Sequence, residues 1–372
     1  MDLSTLLFGL FAAATGVQIA FWWGVFARLA WFKQPASPPA PGPAAIPVSV
    51  IICARNEAQN LERYLPCVLE QNYPVFEVLV VDDDSDDGTQ QILLDFQKKY
   101  ARLRVLRVAP KTTPGKKYAL EQGIAAARYE HLVLTDADCQ PASLQWLCTM
   151  TKYWTPDTEI VLGYAPHRSE PGFLNRCIRF ETAHTAMLYF SFALAGWPYM
   201  GVGRNLAWRK DIFQRIGGFK RHAHLPSGDD DLLVNAAAHR GNTAVCLAPA
   251  TFMYSAGKKT WRDWLQQKRR QLGAGNLYRR KHQFALGLFA GTQILHYFLL
   301  IPLMVSDFGM ISGAIYALRI TSASLIFSKI LRQFHDERLY HWFPLLDLLL
   351  VFYSAVFVPL FLVRSNYLIS WK

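Results

Sequence analysis

The 372-residue sequence has no CxxC pair and no histidine spaced from its cysteines as a zinc-ligand set requires. Its six cysteines, Cys53, Cys67, Cys139, Cys148, Cys177 and Cys246, all lie in the middle of the chain and read as reduced packing thiols. The GxxxxGK[ST] spacing of a P-loop is missing too, which excludes that type of phosphate cradle. No lysine or arginine precedes Arg28, so the apolar amino terminus lacks the basic start of a cleaved export signal. Charge is sparse at 18% and short on the acidic side, with 28 Asp and Glu against 39 Lys and Arg, a net +11. Such an excess suits either nucleic acid or an anionic membrane surface. The 52% hydrophobic and 14% aromatic content is concentrated at the two ends and favours the membrane, so no nucleic-acid partner is expected.

The apolar ends are long. Residues 3–32 run almost without interruption, with Gln18 and Arg28 the strongly polar members. About 20 apolar residues suffice to span a bilayer, so residues 1–33 are predicted to hold an uncleaved transmembrane helix. Residues 34–47, QPASPPAPGPAAIP, form a stiff proline-rich linker. Three further spans are predicted within residues 284–364, at 284–305, 308–327 and 344–363. Arg28 and Lys33, then Arg279, Arg280 and Lys281, then Lys329, Arg332 and Arg338 flank the same side. By the positive-inside rule the middle of the chain is cytoplasmic, which predicts an integral protein of a bacterial inner membrane. Gln293, His296 and Tyr297 are the polar members of the second span, and they either line a pore or pack on neighbouring helices.

Between the ends, short apolar runs at 48–53, 78–81, 103–108 and 132–134 alternate with helical patterns. That alternation predicts an α/β domain with a mostly parallel sheet over residues 48–275. Ligands of such sheets bind beyond the carboxyl ends of the strands. Three polar clusters fall there: Arg55, Asn56 and Glu57; Asp82, Asp83, Asp84, Ser85, Asp87 and Thr89; Asp136 and Asp138. Residues near 172–200 are rich in aromatics but carry Arg176, Arg179, Glu181 and His184, which suits an amphipathic helix at the membrane interface or a core helix.

The chemistry follows from residue types. Asp136 and Asp138, one residue apart at a strand end, repel unless a hard cation such as Mg²⁺ or Mn²⁺ sits between them, and such ions complete their shell with substrate phosphates. Lys116 opens a helix in GKKYAL, where its ammonium can join backbone N–H groups at a phosphate. An aspartate in the VVDDDSDDGT stretch can accept the imide N–H of uracil. Asp229, Asp230 and Asp231 offer a general base or a solvated turn. In QQKRRQLGAG, Gln266 sits beside three cations that clamp a diphosphate or meet an anionic surface.

In this order the elements resemble the inverting, nucleotide-sugar-dependent family 2 glycosyltransferases of GT-A fold, in the membrane-embedded branch of the cellulose, hyaluronan and poly-N-acetylglucosamine synthases and ceramide glucosyltransferase. The resemblance implies a metal ligand at Asp138, with Asp136 on the donor's ribose or on the metal through water. It implies a UDP-sugar held by Arg55, Glu57, Asp82, Asp83, Lys116, Gln266, Arg269 and Arg270, with Arg270 replacing the family's tryptophan. Asp229 matches the family's base, and Asp230 lies one register away. The acceptor implied is a lipid or lipid-linked glycan; a processive polysaccharide synthase or a non-catalytic membrane scaffold are the alternatives.

Overall fold

The computed structural model describes residues 2–34, 45–108, 115–225, 227–271 and 273–363, with side chains as far as Val356. Most of the predicted proline-rich linker lies outside the described residues. Among the described residues nine strands form: β1 (Val48–Ala54), β2 (Phe76–Asp82), β3 (Leu103–Arg107), β4 (His131–Asp136), β5 (Cys139–Pro141), β6 (Ile160–Gly163), β7 (Leu206–Arg209), β8 (Thr243–Cys246) and β9 (Met253–Ser255). Every residue of β1 and β2 is buried, as their unbroken runs of valine, isoleucine and leucine require of strands covered on both faces. Seven strands make one sheet in the order β3-β2-β1-β4-β7-β6-β8, while β5 and β9 pair separately.

The first four strands are parallel, as the alternating pattern predicts. After β1 the chain lays β2 and β3 to one side and then returns to place β4 on the other. This reversal leaves a crevice beyond the carboxyl ends of β1 and β4. There Cys53 faces Asp136 and Ala54 faces Asp82 across the ladders. β7 runs antiparallel to both β4 and β6, within a sheet that is mostly parallel as expected. Its amino-terminal end therefore reaches the same edge as the carboxyl ends of its neighbours.

Among the described residues four helices are long and apolar enough to cross a membrane: Leu3–Ala30, Arg280–Leu303, Gly309–Gln333 and Glu337–Val356. They enclose a polar cluster. Arg319 and Asp347, both fully buried, form an ion pair. Gln293 Nε2 and Tyr297 Oη donate to the two Asp347 oxygens at 2.8 and 2.7 Å. Arg319 Nη2 donates to Gln18 Oε1 at 3.3 Å, and Thr15 Oγ1 lies 2.7 Å from His296 Nδ1. Every span contributes a member. Gln293, His296 and Tyr297, the residues a pore needs, thus face inward onto other helices, because an unpaired polar group in hydrocarbon is more costly than one that is shared.

The segment near 172–200 is a helix, Phe173–Leu194, with 12 of its 22 residues buried. It is packed against β8, the carboxyl-terminal end of the first span and the last helix, Phe343–Val363, so most of its apolar residues serve packing, while Phe173 at its start is exposed. Arg179, on this helix, pairs with Asp336 between the third and fourth spans, Nε to Oδ2 at 3.1 Å, and donates to Ser169 Oγ at 2.7 Å. The sheet domain is thereby fastened to the membrane helices.

Removing one partner of a buried ion pair leaves an uncompensated charge. Arg319→Leu is expected to destabilise the chain by about 3–5 kcal/mol, whereas the double change Arg319→Leu with Asp347→Leu recovers most of the loss. Thermal unfolding in detergent micelles measures both.

Candidate active site

The turns after β1 and β2 are stitched to each other. Asn56 adopts a left-handed φ of 54°, which turns three successive N–H groups toward the neighbouring loop. The N–H groups of Asn56, Glu57 and Ala58 donate to Ser85 Oγ, Thr89 Oγ1 and Asp87 Oδ2 at 3.0, 3.0 and 3.2 Å. Asp86 N–H returns a bond to Asn56 Oδ1 at 3.0 Å. Ser85, Asp87 and Thr89 are therefore occupied in holding backbone. Asp82 and Asp83 remain, both buried at the sheet edge. Asp82 Oδ1 accepts from Ser85 N–H at 3.2 Å, while Oδ2 has no partner. Glu57 Oε2 accepts from Asn60 Nδ2 at 2.5 Å, and Arg55 is half-buried in the same turn.

Next to this edge lies a cavity of about 320 Å³, within the range of ligand pockets. Asp136 and Asp138 line it together with Asp230 and Asp231. Burial, reinforced by the negative charge of Asp136, holds the Asp138 carboxyl above the usual range. Lys116 stands behind them, at the start of the helix Lys116–Ala126. Its Nζ is 2.6 Å from Asp136 Oδ1 and 3.6 Å from Asp229 Oδ2. Burial disfavours that charge, but the two carboxylates outweigh it and raise the ammonium well above its usual range. The lysine expected at a phosphate thus joins the two acidic motifs.

The acidic triplet is divided among three tasks. Gly228, at φ 94°, turns the chain into the short helix Asp231–Ala237. Asp229 turns to Lys116 and does not line the cavity. Asp230 does: its Oδ2 accepts from Gly203 N–H at 2.6 Å and its Oδ1 from Asp231 N–H at 2.8 Å. Burial, then the charges of Asp229 and Asp231, raise it to about 7. Asp231 Oδ2 accepts from Tyr278 Oη at 2.7 Å, and burial raises this carboxyl to about 6.

The helix Trp261–Gln271 forms the roof. Trp264 is buried, and with it Gln267, Lys268 and Gln271 share one face at positions i, i+3, i+4 and i+7. Those three polar residues line the cavity. The predicted Gln266, Arg269 and Arg270 do not, and Gln266 is exposed. The buried indole sets the rotation of the helix, one residue away from the register expected for the motif. Lys268 meets Glu181 at 2.5 Å.

Sequence reasoning missed Arg204, His167 and Ser255. Arg204 Nη1 donates to Ser255 Oγ at 2.6 Å, which lies 3.1 Å from His167 Nδ1. Arg204 precedes β7 and reaches the active edge only because that strand is antiparallel. Asn205 beside it fixes the turn, accepting from Trp146 Nε1 at 3.0 Å and donating to the carbonyls of Tyr164 and Thr251 at 2.8 and 2.7 Å. Nothing in a parallel-sheet reading marks these residues.

Among the described residues no group of three or more His, Cys, Asp or Glu converges as a metal cage. Two carboxylates at a cavity wall fit a hard ion that draws its remaining ligands from phosphate and water.

The chain matches the model of Glycosyl transferase family 2 over residues 49–217, and that of Glycosyl transferase family group 2 over residues 155–367, more than half its length. It is 40% identical over 185 residues to the glycosyltransferase AglE of Haloferax volcanii, covering 49% of this chain and 58% of that one. It is 36% identical over 98 residues to the beta-monoglucosyldiacylglycerol synthase of Trichormus variabilis, 26% of this chain and 21% of that one. The chain thus spans little more than half of the first relative and about a fifth of the second. Its fold matches the mannosyltransferase PcManGT of Pyrobaculum calidifontis, solved with GDP-Man and Mn²⁺, at a TM-score of 0.61 and 19% identity, over 90% of this chain and 99% of that one. With its mostly parallel sheet, GT-A-like fold and matched residues, the chain belongs to the family 2 glycosyltransferases.

Proposed function

We propose that this chain transfers a sugar, with inversion, from a UDP-sugar to a hydroxyl of a lipid or lipid-linked glycan in the membrane. The observation that carries the proposal is Asp230, a carboxylate buried in the same cavity as Asp136 and Asp138 and held by two backbone N–H groups. Asp230, rather than Asp229, is assigned as the base, since Asp229 is engaged by Lys116. The proton of the acceptor hydroxyl passes to Asp230, the acceptor oxygen bonds to the anomeric carbon, and the bond from that carbon to the diphosphate breaks with its electron pair leaving on UDP. Asp82 Oδ2, buried and unpartnered, suits the imide N–H of uracil, with Asp83 beside it. Asp138, with Asp136, would hold Mg²⁺ or Mn²⁺, whose charge would stabilise the departing diphosphate. Arg204, in the cavity wall, adds a cation of this chain's own to that task.

The named activity of the glucosyldiacylglycerol synthase supports a lipid acceptor, and the GDP-Man and Mn²⁺ of the mannosyltransferase support a nucleotide sugar with a divalent ion. The inward-facing polar cluster of the four spans favours single transfer over secretion of a polymer through a pore. In the cell the cavity would face the cytoplasm and the four helices would cross the inner membrane.

Asp230→Asn is expected to lower kcat by about 10²–10⁴-fold, measured as radiolabelled sugar passing into extractable lipid. Full transfer by this variant, together with loss in Asp229→Asn, would reassign the base. Because Asp230 gives up its proton only near pH 7, kcat/KM should rise with pH and level off above about 7. The neighbouring negative charge of Asp229 contributes to that position, so Asp229→Asn should move the rise to lower pH.

Stability has the opposite trend. The folded chain binds this proton more tightly than the unfolded chain, whose carboxyl titrates near about 4, so the Asp230 contribution to stability falls as pH rises between about 4 and 7. Asp230→Asn should therefore raise Tm relative to the parent at pH 8 and much less at pH 4.

A further inference from the structure

Beside the catalytic cavity is a second hollow of about 220 Å³, bounded by the helix Phe173–Leu194, the helix Trp261–Gln271 and the last membrane helix. The last helix contributes Leu346, Leu349, Leu350 and Tyr353, spaced 3 and 4 apart and therefore on one face. The other walls are aromatic and aliphatic, and Glu181 is the one ionisable carboxylate in them. Glu181 also lines the catalytic cavity, so the two hollows meet at the Glu181–Lys268 ion pair.

Three observations restrict what can lie there. Glu181 Oε2 and the indole nitrogen of Trp264 are both buried without a hydrogen-bond partner, although Trp264 is only 7% exposed. An occupant must therefore be apolar along its length and bring polar groups to one end, where buried polar atoms await partners. The rim is built of exposed aromatics, Phe173 at 39% and Trp261 at 47%, with ring centroids 6.4 Å apart, and the Phe173 ring also lies 6.0 Å from that of Trp342, tilted to it. The indole rings of Trp261 and Trp342 are of the amphipathic kind that settles where head groups begin. Finally, one wall belongs to a helix long and apolar enough to cross a membrane.

We propose that this groove holds a hydrocarbon chain of the acceptor lipid, and that the head group passes the Glu181–Lys268 pair to present its hydroxyl to Asp230. The inference rests on the lipid-acceptor reading above and adds where the tail lies. The groove is a chain-binding subsite, continuous with the bilayer on one side and with the sugar-transfer cavity on the other.

The full chain, reconstituted in phosphatidylcholine vesicles doped with a diacylglycerol that bears a diazirine on one acyl chain, tests this. Photolysis should label the peptides that contain Phe173, Trp261 and Leu349. Leu349→Trp, which fills the groove, should cut that labelling and the transfer of sugar to extractable lipid by about tenfold relative to UDP release into water. Leu348→Trp, on the exposed side of the same helix, controls for folding and should change neither. Label spread evenly over the outer faces of the spans would mark ordinary annular lipid and overturn the proposal, as would unchanged labelling in a folded Leu349→Trp. If no UDP-sugar is turned over by the parent chain, the enzymatic reading fails while the labelling still decides the groove.

Discussion

Desolvated charge is the constraint on which this molecule is built, and Lys116 shows it best. Its ammonium is lodged between Asp136 and Asp229, two carboxylates from acidic motifs far apart in the sequence. Without a cation there, the strand end of β4 and the turn before the helix Asp231–Ala237 would repel each other in a poorly solvated space. With it, the turn is drawn against the sheet edge, and Asp230 is left facing the cavity. The same rule operates in the membrane helices, where Arg319 and Asp347 are tolerable only together and so draw Gln18, Gln293 and Tyr297 around them.

The parts of the fold that could be read from sequence are those where one physical cause dominates. β1 and β2 are continuous apolar runs because both faces are covered, and the four candidate spans stand out as stretches long and apolar enough to cross a membrane. Asp136 and Asp138 are recognisable because they end a buried strand. What could not be read depends on competition between neighbours. Asp229, Asp230 and Asp231 look alike in sequence, and only the fold after the left-handed turn at Gly228 turns Asp229 to Lys116 while Asp230 and Asp231 meet the cavity. Gln267 and Lys268 replace Gln266 and Arg269 at the wall because Trp264 takes the buried side of their helix. Arg204 was hidden by the direction of β7. The charges Arg319 and Asp347 carried a usable signal, since an ionisable residue inside an apolar run asks for a partner.

The acidic element after β2 shows a related division of labour. Its Ser85, Asp87 and Thr89 hold the turn after β1, so that Asp82 and Asp83 are kept at the edge by a frame made from their own motif. A substitution in such a motif can therefore act on the ligand through the backbone of another loop.

The helix Phe173–Leu194 carries Arg179, fastened to the loop between the third and fourth spans, and Glu181, fastened to the cavity roof. These two residues sit half a turn apart on one helix, so the distance from the candidate spans to Asp230 is fixed by the architecture. The protein then acts as a gauge. On the proposed assignment of Asp230 as base and of a lipid acceptor, a hydroxyl carried too close to its lipid anchor stops short of Asp230 and one carried too far overshoots, so the length of the head group becomes a criterion of selection separate from its chemical identity.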